Sequence, residues 1–425
     1  MPGFPDPAGQ ARRAFRVAAG PSRPRFPTLP GMAAVPPAPV APAEREHAVD
    51  VLRGLALLGI VVVNMEFYAQ PIESGWMASV GGLDGAARWL SIAVFQAKSY
   101  LVFSLLFGYG LGIQLARSAA SGAPLGRRYA RRMIGLFILG TLHAVLLFAG
   151  DILMAYAVLG ALLWPLRRTR ERELLFVAGA LAALTALGAL LLGAATSLKG
   201  GLAATVPDTG AAVRAIAEGT LGEQIAQRVS DLGTAQTVVF LIQGPMVAAA
   251  FLVGLLLARR GLLADPAAHR ALLRRIAVIC LPIGLAGGAL AATLIVVVGD
   301  EASGVGLALQ FILAPFSSLG YVAGVALLVA SGRLAAPFAR IGAAGRMSLT
   351  VYLGESIVAA VLFTGLGGGL YGRVEPALGL LIAFATWLGF LVFAAVWWRA
   401  FRFGPFEWLL RSFTYWRVQP LRRAP

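Results

Sequence analysis

Apolar residues fall along this chain in ten long runs separated by charged or polar breaks: 51–68, 89–116, 133–149, 152–166, 174–195, 238–258, 276–298, 305–330, 347–370 and 377–398. A helix rises about 1.5 Å per residue, so roughly 20 apolar residues cross the ~30 Å hydrocarbon layer of a bilayer. Most of the runs meet that length. All of them exceed the ~10 residues of an outer-membrane barrel strand, and none alternates with the period of two that such strands need. The pattern therefore predicts an all-α, polytopic membrane bundle of about ten transmembrane helices. Only Gly150 and Asp151 separate the two shortest runs, 133–149 and 152–166, so this pair is expected to form a tight helical hairpin that need not cross fully.

Composition supports the membrane reading. Of 425 residues 58% are hydrophobic and 13% charged, against about 45–50% and 25% in soluble domains. The single Cys, Cys280, excludes an intramolecular disulfide, and one Cys with three His excludes a structural zinc site. Thirty-six Lys and Arg against 20 Asp and Glu give a net charge of +16, which in a soluble protein would point to nucleic acid. With the amino terminus in the cytoplasm, however, 30 of the cations fall in inner stretches and five in the opposite loops, while Lys98 lies inside a run. That asymmetry is the positive-inside pattern. It predicts both termini in the cytoplasm, with the lipid bilayer as partner and no role for nucleic acid.

Residues 1–48 hold 11 of the 24 Pro and no apolar core of a signal peptide, which predicts a disordered tail in which Met32 is a second candidate start. The membrane domain is expected over 49–398. Its longest outer loop, 196–236, mixes polar and apolar residues over 213–231 at a spacing that fits a helix lying in the interface. Residues 399–425 interleave Trp and Phe with Arg, as an interfacial cytoplasmic tail should. No internal repeat is visible, and a homo-oligomer is compatible with the pattern.

An ionisable side chain at membrane depth costs from about 2.5 kcal/mol upward, so each one retained is a candidate for function. Glu355 lies nine residues past Arg346, and Lys98 nine residues into its run. Both depths are about 13 Å, so the two could pair; a structural bridge between helices and a proton or substrate site are both open. His143 is the one His inside an apolar run and offers an imidazole that can act as acid or base near neutral pH. Asp151 starts the following helix, either as its cap or facing His143 across a shared cavity. The two are eight residues apart, about 12 Å along a straight helix, so a bend at Gly150 or a bridging substrate would have to bring them together. Asn64 sits toward the outer end of the first run, with Asp50 and Arg53 at its inner end, where Arg53 can snorkel to head groups.

The run Asp50-Val-Leu-Arg-Gly-Leu-Ala-Leu-Leu-Gly-Ile-Val-Val-Val-Asn64 and the carboxyl-terminal stretches Gly345-Arg-Met-Ser-Leu-Thr350, Phe403-Gly-Pro-Phe-Glu-Trp408 and Arg411-Ser-Phe-Thr-Tyr415 resemble the YeiB-type family of bacterial inner-membrane proteins, a domain of unknown function. Phe103-Ser-Leu-Leu-Phe-Gly108, Gly140-Thr-Leu-His143 and Gly150-Asp-Ile-Leu153 extend the resemblance to about residues 47–423. The family more often has Asn where this chain has Val351 and Gln where it has Glu355. The first run, with Asp50, Arg53 and Asn64, is also similar to the opening of transmembrane acyltransferases such as heparan-alpha-glucosaminide N-acetyltransferase. Those enzymes carry an acyl group from cytoplasmic acyl-CoA to an acceptor on the other side. This similarity implies Asp50 and Arg53 near the donor's entrance and Asn64 near the transfer centre. The His expected soon after the first helix is missing, and His143 is the candidate to replace it.

Three functions stay open on these grounds. One is a transmembrane acyltransferase with His143 as base, Asp151 orienting it, no bound cofactor and acyl-CoA as donor substrate. The second is a proton-coupled transporter of a small solute using Glu355 and Lys98, and the third is a non-catalytic membrane partner protein.

Overall fold

The computed structural model describes residues 46–71, 80–201 and 208–423, and these are helical nearly throughout. In chain order the helices are α1 (His47–Ala69), α2 (Gly82–Leu90), α3 (Lys98–Ser121), α4 (Gly126–Leu146), α5 (Leu153–Leu166), α6 (Glu171–Leu198), α7 (Gly210–Ala217), α8 (Leu221–Thr237), α9 (Gly244–Arg259), α10 (Arg270–Thr293), α11 (Asp300–Ser331), α12 (Ala335–Gly345), α13 (Ser348–Phe363), α14 (Pro376–Ala400) and α15 (Pro405–Tyr415). No β-strand forms among the described residues; one isolated bridge joins Phe401 to Arg422.

Eight helical stretches among the described residues are long and apolar enough to cross a membrane, and the bent pair α12 and α13 would make a ninth. The chain is a multi-pass membrane protein. The run 152–166 forms α5, which has only 14 residues, about 21 Å of rise, in keeping with a hairpin that does not cross fully. It packs against α4 as a hairpin. The expected interfacial helix over 213–231 is divided: α7 is a separate short element, and α8 continues through a wide π turn into α9 as one helix, Leu221–Arg259, of 39 residues. Of the expected disordered tail, residues 1–45 lie outside the described residues; His47 and Ala48 already belong to α1.

α1 is buried round most of its surface, with α3, α12, α13 and α14 packed about it. The outer helices instead leave apolar rows exposed, including Leu184, Leu187 and Leu191 on α6 and Leu381, Leu388 and Val392 on α14. Such rows are stable only when lipid replaces water against them.

Two breaks shape the interior. Between α2 and α3 the chain passes through Gln96 and the left-handed Ala97 (φ 62°). Between α12 and α13 the axis turns by 77°. α12 lies so close across the start of α1 that a Cβ on Gly345 would stand 1.9 Å from the Asp50 carbonyl oxygen, so only glycine fits there. The new helix is capped from the carboxyl tail: Glu407 Oε1 accepts from the amides of Leu349 (2.6 Å) and Thr350 (3.2 Å), and Oε2 from the Thr350 hydroxyl (2.5 Å). Pro405 opens α15 at its first turn and sets Glu407 in reach. The stretches 345–350 and 403–408 are thus one contact.

Candidate functional site

α4 ends at Leu146, where the amides of Leu147 and Phe148 both turn back to the His143 carbonyl at 2.9 Å. The chain reverses through Ala149, Gly150 and Asp151 before α5 begins. Gln236 on α8 clamps this turn, donating to the carbonyls of Ala149 (2.9 Å) and Asp151 (3.1 Å). Gly140, one turn before His143, opens the space the turn needs, since a Cβ there would lie 2.7 Å from Asp151 Oδ2.

The reversal places Asp151 against His143. Asp151 Oδ1 lies 2.8 Å from His143 Nδ1, and Oδ2 accepts from the Met154 amide at 2.8 Å. One carboxylate therefore both caps α5 and orients the imidazole. The ~12 Å that separates the two residues along a straight helix is closed by the bend alone.

On its other side His143 Nε2 lies 2.8 Å from Ser356 Oγ, and Ser356 Oγ lies 2.7 Å from the Tyr68 hydroxyl. Ser356 sits midway along α13 and Tyr68 in the last turn of α1. Tyr352, one turn before Ser356, donates weakly to Asp151 Oδ1 (3.4 Å) and lies beside the imidazole, with ring centroids 5.1 Å apart. Asp151, His143, Ser356 and Tyr68 are all buried. Asn64 faces the Tyr68 hydroxyl from one turn back along α1, and Glu355 lies within electrostatic reach of that hydroxyl.

The donor and acceptor inventory orders the protons. With Asp151 as carboxylate and His143 as neutral imidazole, the carboxylate has no proton to give, so Nδ1 carries the ring proton and Nε2 accepts. Ser356 then donates to Nε2, and with its single proton committed it accepts from Tyr68. A hydroxyl held on a bare imidazole nitrogen, with a carboxylate behind the ring, is the arrangement by which histidine takes a proton from serine as the oxygen attacks carbon.

Other predicted residues lie elsewhere. Lys98 and Glu355 do not pair. Lys98 Nζ donates to the Ile92 carbonyl (2.7 Å) and to Gln310 Oε1 (3.1 Å), while Gln310 in turn donates to the carbonyls of Ile92 (3.1 Å) and Gln96 (2.9 Å). These groups satisfy the backbone freed where α2 breaks from α3. Glu355 is buried with Oε1 unpartnered. Asp50 and Arg53 form an ion pair at 3.5 Å at the opposite end of α1 from Tyr68, with the Arg53 side chain 28% exposed. Arg53 there shares its field with Glu46 and Arg132.

Sequence reasoning missed Ser356, Tyr68 and Glu407. The first was within reach, being the hydroxyl that follows the one acidic residue of its apolar run. Among the described residues no three His, Cys, Asp or Glu gather where they could hold a metal ion.

A cavity of about 40 Å³ opens beside Tyr68 at the end of the bundle away from Arg53, lined by Phe148, Arg228, Asp231, Phe363, Thr364 and Tyr371 among others.

Comparison with known proteins gives uncharacterised relatives. YxaH of Bacillus subtilis is 32% identical over 403 residues, 91% of this chain and 98% of the relative. YeiB of Escherichia coli is 30% identical over 386 residues, 87% of this chain and 96% of the relative. No solved structure matches. The family model described as a protein of unknown function, DUF418, matches residues 257–417, a stretch that holds Ser356 and its cap Glu407 but neither His143 nor Asp151. With relatives aligned almost end to end, the chain belongs to the YeiB-type DUF418 family.

Proposed function

We propose that this protein is a membrane-embedded acyltransferase of the bacterial inner membrane, with Ser356 as nucleophile and His143 as its general base. The observation that carries the reading is the Asp151, His143 and Ser356 chain, with both links at 2.8 Å and all three residues buried. In the acylation step Ser356 Oγ bonds to the acyl carbon of a thioester donor while its proton moves to His143 Nε2. The carbon–sulfur bond breaks, and the leaving thiolate takes that proton. In the second step His143 takes the proton of an acceptor hydroxyl, the acceptor oxygen bonds to the acyl carbon, the bond from that carbon to Ser356 Oγ breaks, and His143 returns the proton to Oγ. Asp151 holds the imidazole in the required tautomer and stabilises its charge, without taking a proton itself.

Several features support transfer across the bilayer from a cytoplasmic acyl-CoA. Ser356 lies midway along α13. The Arg53 end of the bundle is the cation-rich end, which the positive-inside rule assigns to the cytoplasm, and Arg53 suits an anionic donor such as a CoA phosphate. The cavity beside Tyr68 is at the opposite end, where an acceptor would enter.

The test is intact-mass spectrometry of detergent-purified protein mixed with acetyl-CoA and with longer acyl-CoAs. A covalent adduct of acyl mass on Ser356 is expected in wild type, and none in Ser356→Ala. Absence of an adduct with every donor, in a protein that also transfers no acyl group, overturns the reading.

One observation favours a second reading. Glu355, buried with an unpartnered oxygen beside Tyr68, suits a proton-coupled carrier, in which that carboxyl would load and release a proton.

A further inference from the structure

The cavity beside Tyr68 contains a charge that the acyl-transfer step does not use. Arg228, on α8, is only 5% exposed. Its Nη2 reaches Gln224 Oε1 at 3.5 Å, the limit of a hydrogen bond, and its Nη1 has no partner. Tyr371 and Asp231, both in the cavity lining, lie within electrostatic reach, and Asp231 accepts from Gln227 at 2.7 Å. A guanidinium has five N–H donors, and leaving them unmet inside a protein costs free energy for each one. A buried arginine in this condition is set up for a ligand that brings acceptors.

The surroundings define that ligand. The cavity of about 40 Å³ has room for about three waters at ~10–15 Å³ each, which matches the head of one carboxylate or phosphate group. The planar fork of arginine binds such oxyanions through two parallel hydrogen bonds. Thr364 supplies a further polar group to the lining, while Phe148 and Phe363 supply apolar wall. Tyr68 belongs both to this lining and to the hydrogen-bonded chain that ends at Asp151. A group anchored on Arg228 thus shares a cavity wall with the residue whose hydroxyl touches Ser356.

We infer that this cavity is a binding site for a small oxyanion, a carboxylate or phosphate group, held by Arg228. Resting on the acyl-transfer reading, the site then takes the acceptor: a small hydroxylated carboxylic acid or phosphate ester entering from the end of the bundle opposite Arg53.

The binding claim is tested without catalysis, by the thermal stability of the purified full chain in sodium phosphate, sodium lactate and glycerol 3-phosphate, each against sodium chloride at equal ionic strength. A saturable rise in Tm is expected with at least one of them. Phosphate and glycerol 3-phosphate acting without lactate would mark a phosphate site, and lactate alone a carboxylate site. Loss of one charged hydrogen-bonding group should weaken the apparent Kd about ten- to hundredfold in Arg228→Gln and less in Arg228→Lys. No saturable rise with any anion, or an equal rise in Arg228→Gln, overturns the inference. Should Arg228→Gln fail to fold, phenylglyoxal labelling of wild type replaces it, read by peptide mass spectrometry. Protection of Arg228 by the active anion is expected, and labelling unchanged by the anion refutes the site. The anion shift should persist in Ser356→Ala, so an absent acyl adduct with a retained shift removes the acyl-transfer reading and leaves the oxyanion site standing.

Discussion

Two of the polar clusters inside the membrane helices sit at breaks in the chain. At the α2–α3 break, Lys98 and Gln310 point their donors at the carbonyls of Ile92 and Gln96. Without water, backbone groups released from a helix need partners in the protein, and these side chains provide them. At the α4–α5 break the accounting differs. The Met154 amide takes one oxygen of Asp151. The Tyr352 hydroxyl also accepts from the Ile152 amide at 3.5 Å, and Ser356 reaches the Tyr352 carbonyl at 3.4 Å, but the links of 2.7–2.8 Å that join α1, α4, the hairpin turn and α13 run from side chain to side chain. Lys98 and Gln310 are thus bonded chiefly to backbone that a break frees, whereas His143, Asp151, Ser356 and Tyr68 are bonded chiefly to one another. Buried polarity alone does not distinguish the two clusters; the kind of partner does.

Substitutions at the two clusters should separate along this line. The largest effect is expected for His143→Ala, which should slow acylation of Ser356 per folded molecule about 10²–10⁴-fold and also lower Tm, because buried Asp151 Oδ1 loses its imidazole partner, measured by timed intact mass and a thermal melt. An unchanged acylation rate would remove His143 as base. Lys98→Met should lower stability alone. It leaves Gln310 Oε1 without its donor, while the Ile92 carbonyl keeps its bond from Gln310 Nε2, and should cost about 1–3 kcal/mol, seen as a lower Tm and yield, with the acylation rate per folded molecule retained. Glu355→Gln should raise Tm slightly, because the orphaned carboxyl is replaced by a neutral amide, and it should leave the acyl adduct intact. If instead the adduct never forms in any variant and proton-coupled uptake into vesicles stops in Glu355→Gln, the carrier reading replaces the enzyme.

The smallest effect belongs to Glu407. Burial pushes its carboxyl above the ordinary range, against the hydrogen bonds from Thr350 and Leu349, which lower it. A carboxyl whose folded pKa is raised binds more protons in the folded state, so its contribution to stability is full below the unfolded pKa and is lost as pH rises through the folded one. Tm should therefore fall across that window in wild type, and Glu407→Gln should flatten this component. The lost cap should also cost about 0.5–2 kcal/mol at neutral pH, read by denaturation at several pH values.

Much of this was open to inspection in the amino-acid order, and the limits are physical. Apolar runs mark helices because lipid tolerates little else, and a charge inside one stands out, so His143, Asp151, Lys98 and Glu355 were all visible. Depth in the membrane, however, gives only the axial coordinate of a side chain. Lys98 and Glu355 sit at similar depths on helices whose facing sides the sequence does not specify, and the pair does not form. Ser356 and Tyr68 stayed hidden because hydroxyls are ordinary in apolar helices; what distinguishes them is contact across 213 and 288 residues. The 77° turn before α13 was concealed for a related reason: Gly345 could mark a helix end or a close approach, and only the packing of α12 on α1 selects the latter.

The tie between Glu407 and the first turn of α13 also bears on the order of synthesis. The acceptor lies 58 residues after the Leu349 amide it covers. A ribosome working at about 5–20 residues per second needs roughly 3–12 seconds to make that stretch. During that interval the leading amides of α13 lack the carboxylate that accepts from them. The cap of the helix that carries Ser356 thus becomes available only once the chain as far as Glu407 has been made, so the ends of this contact are joined well after the helix itself has been synthesised.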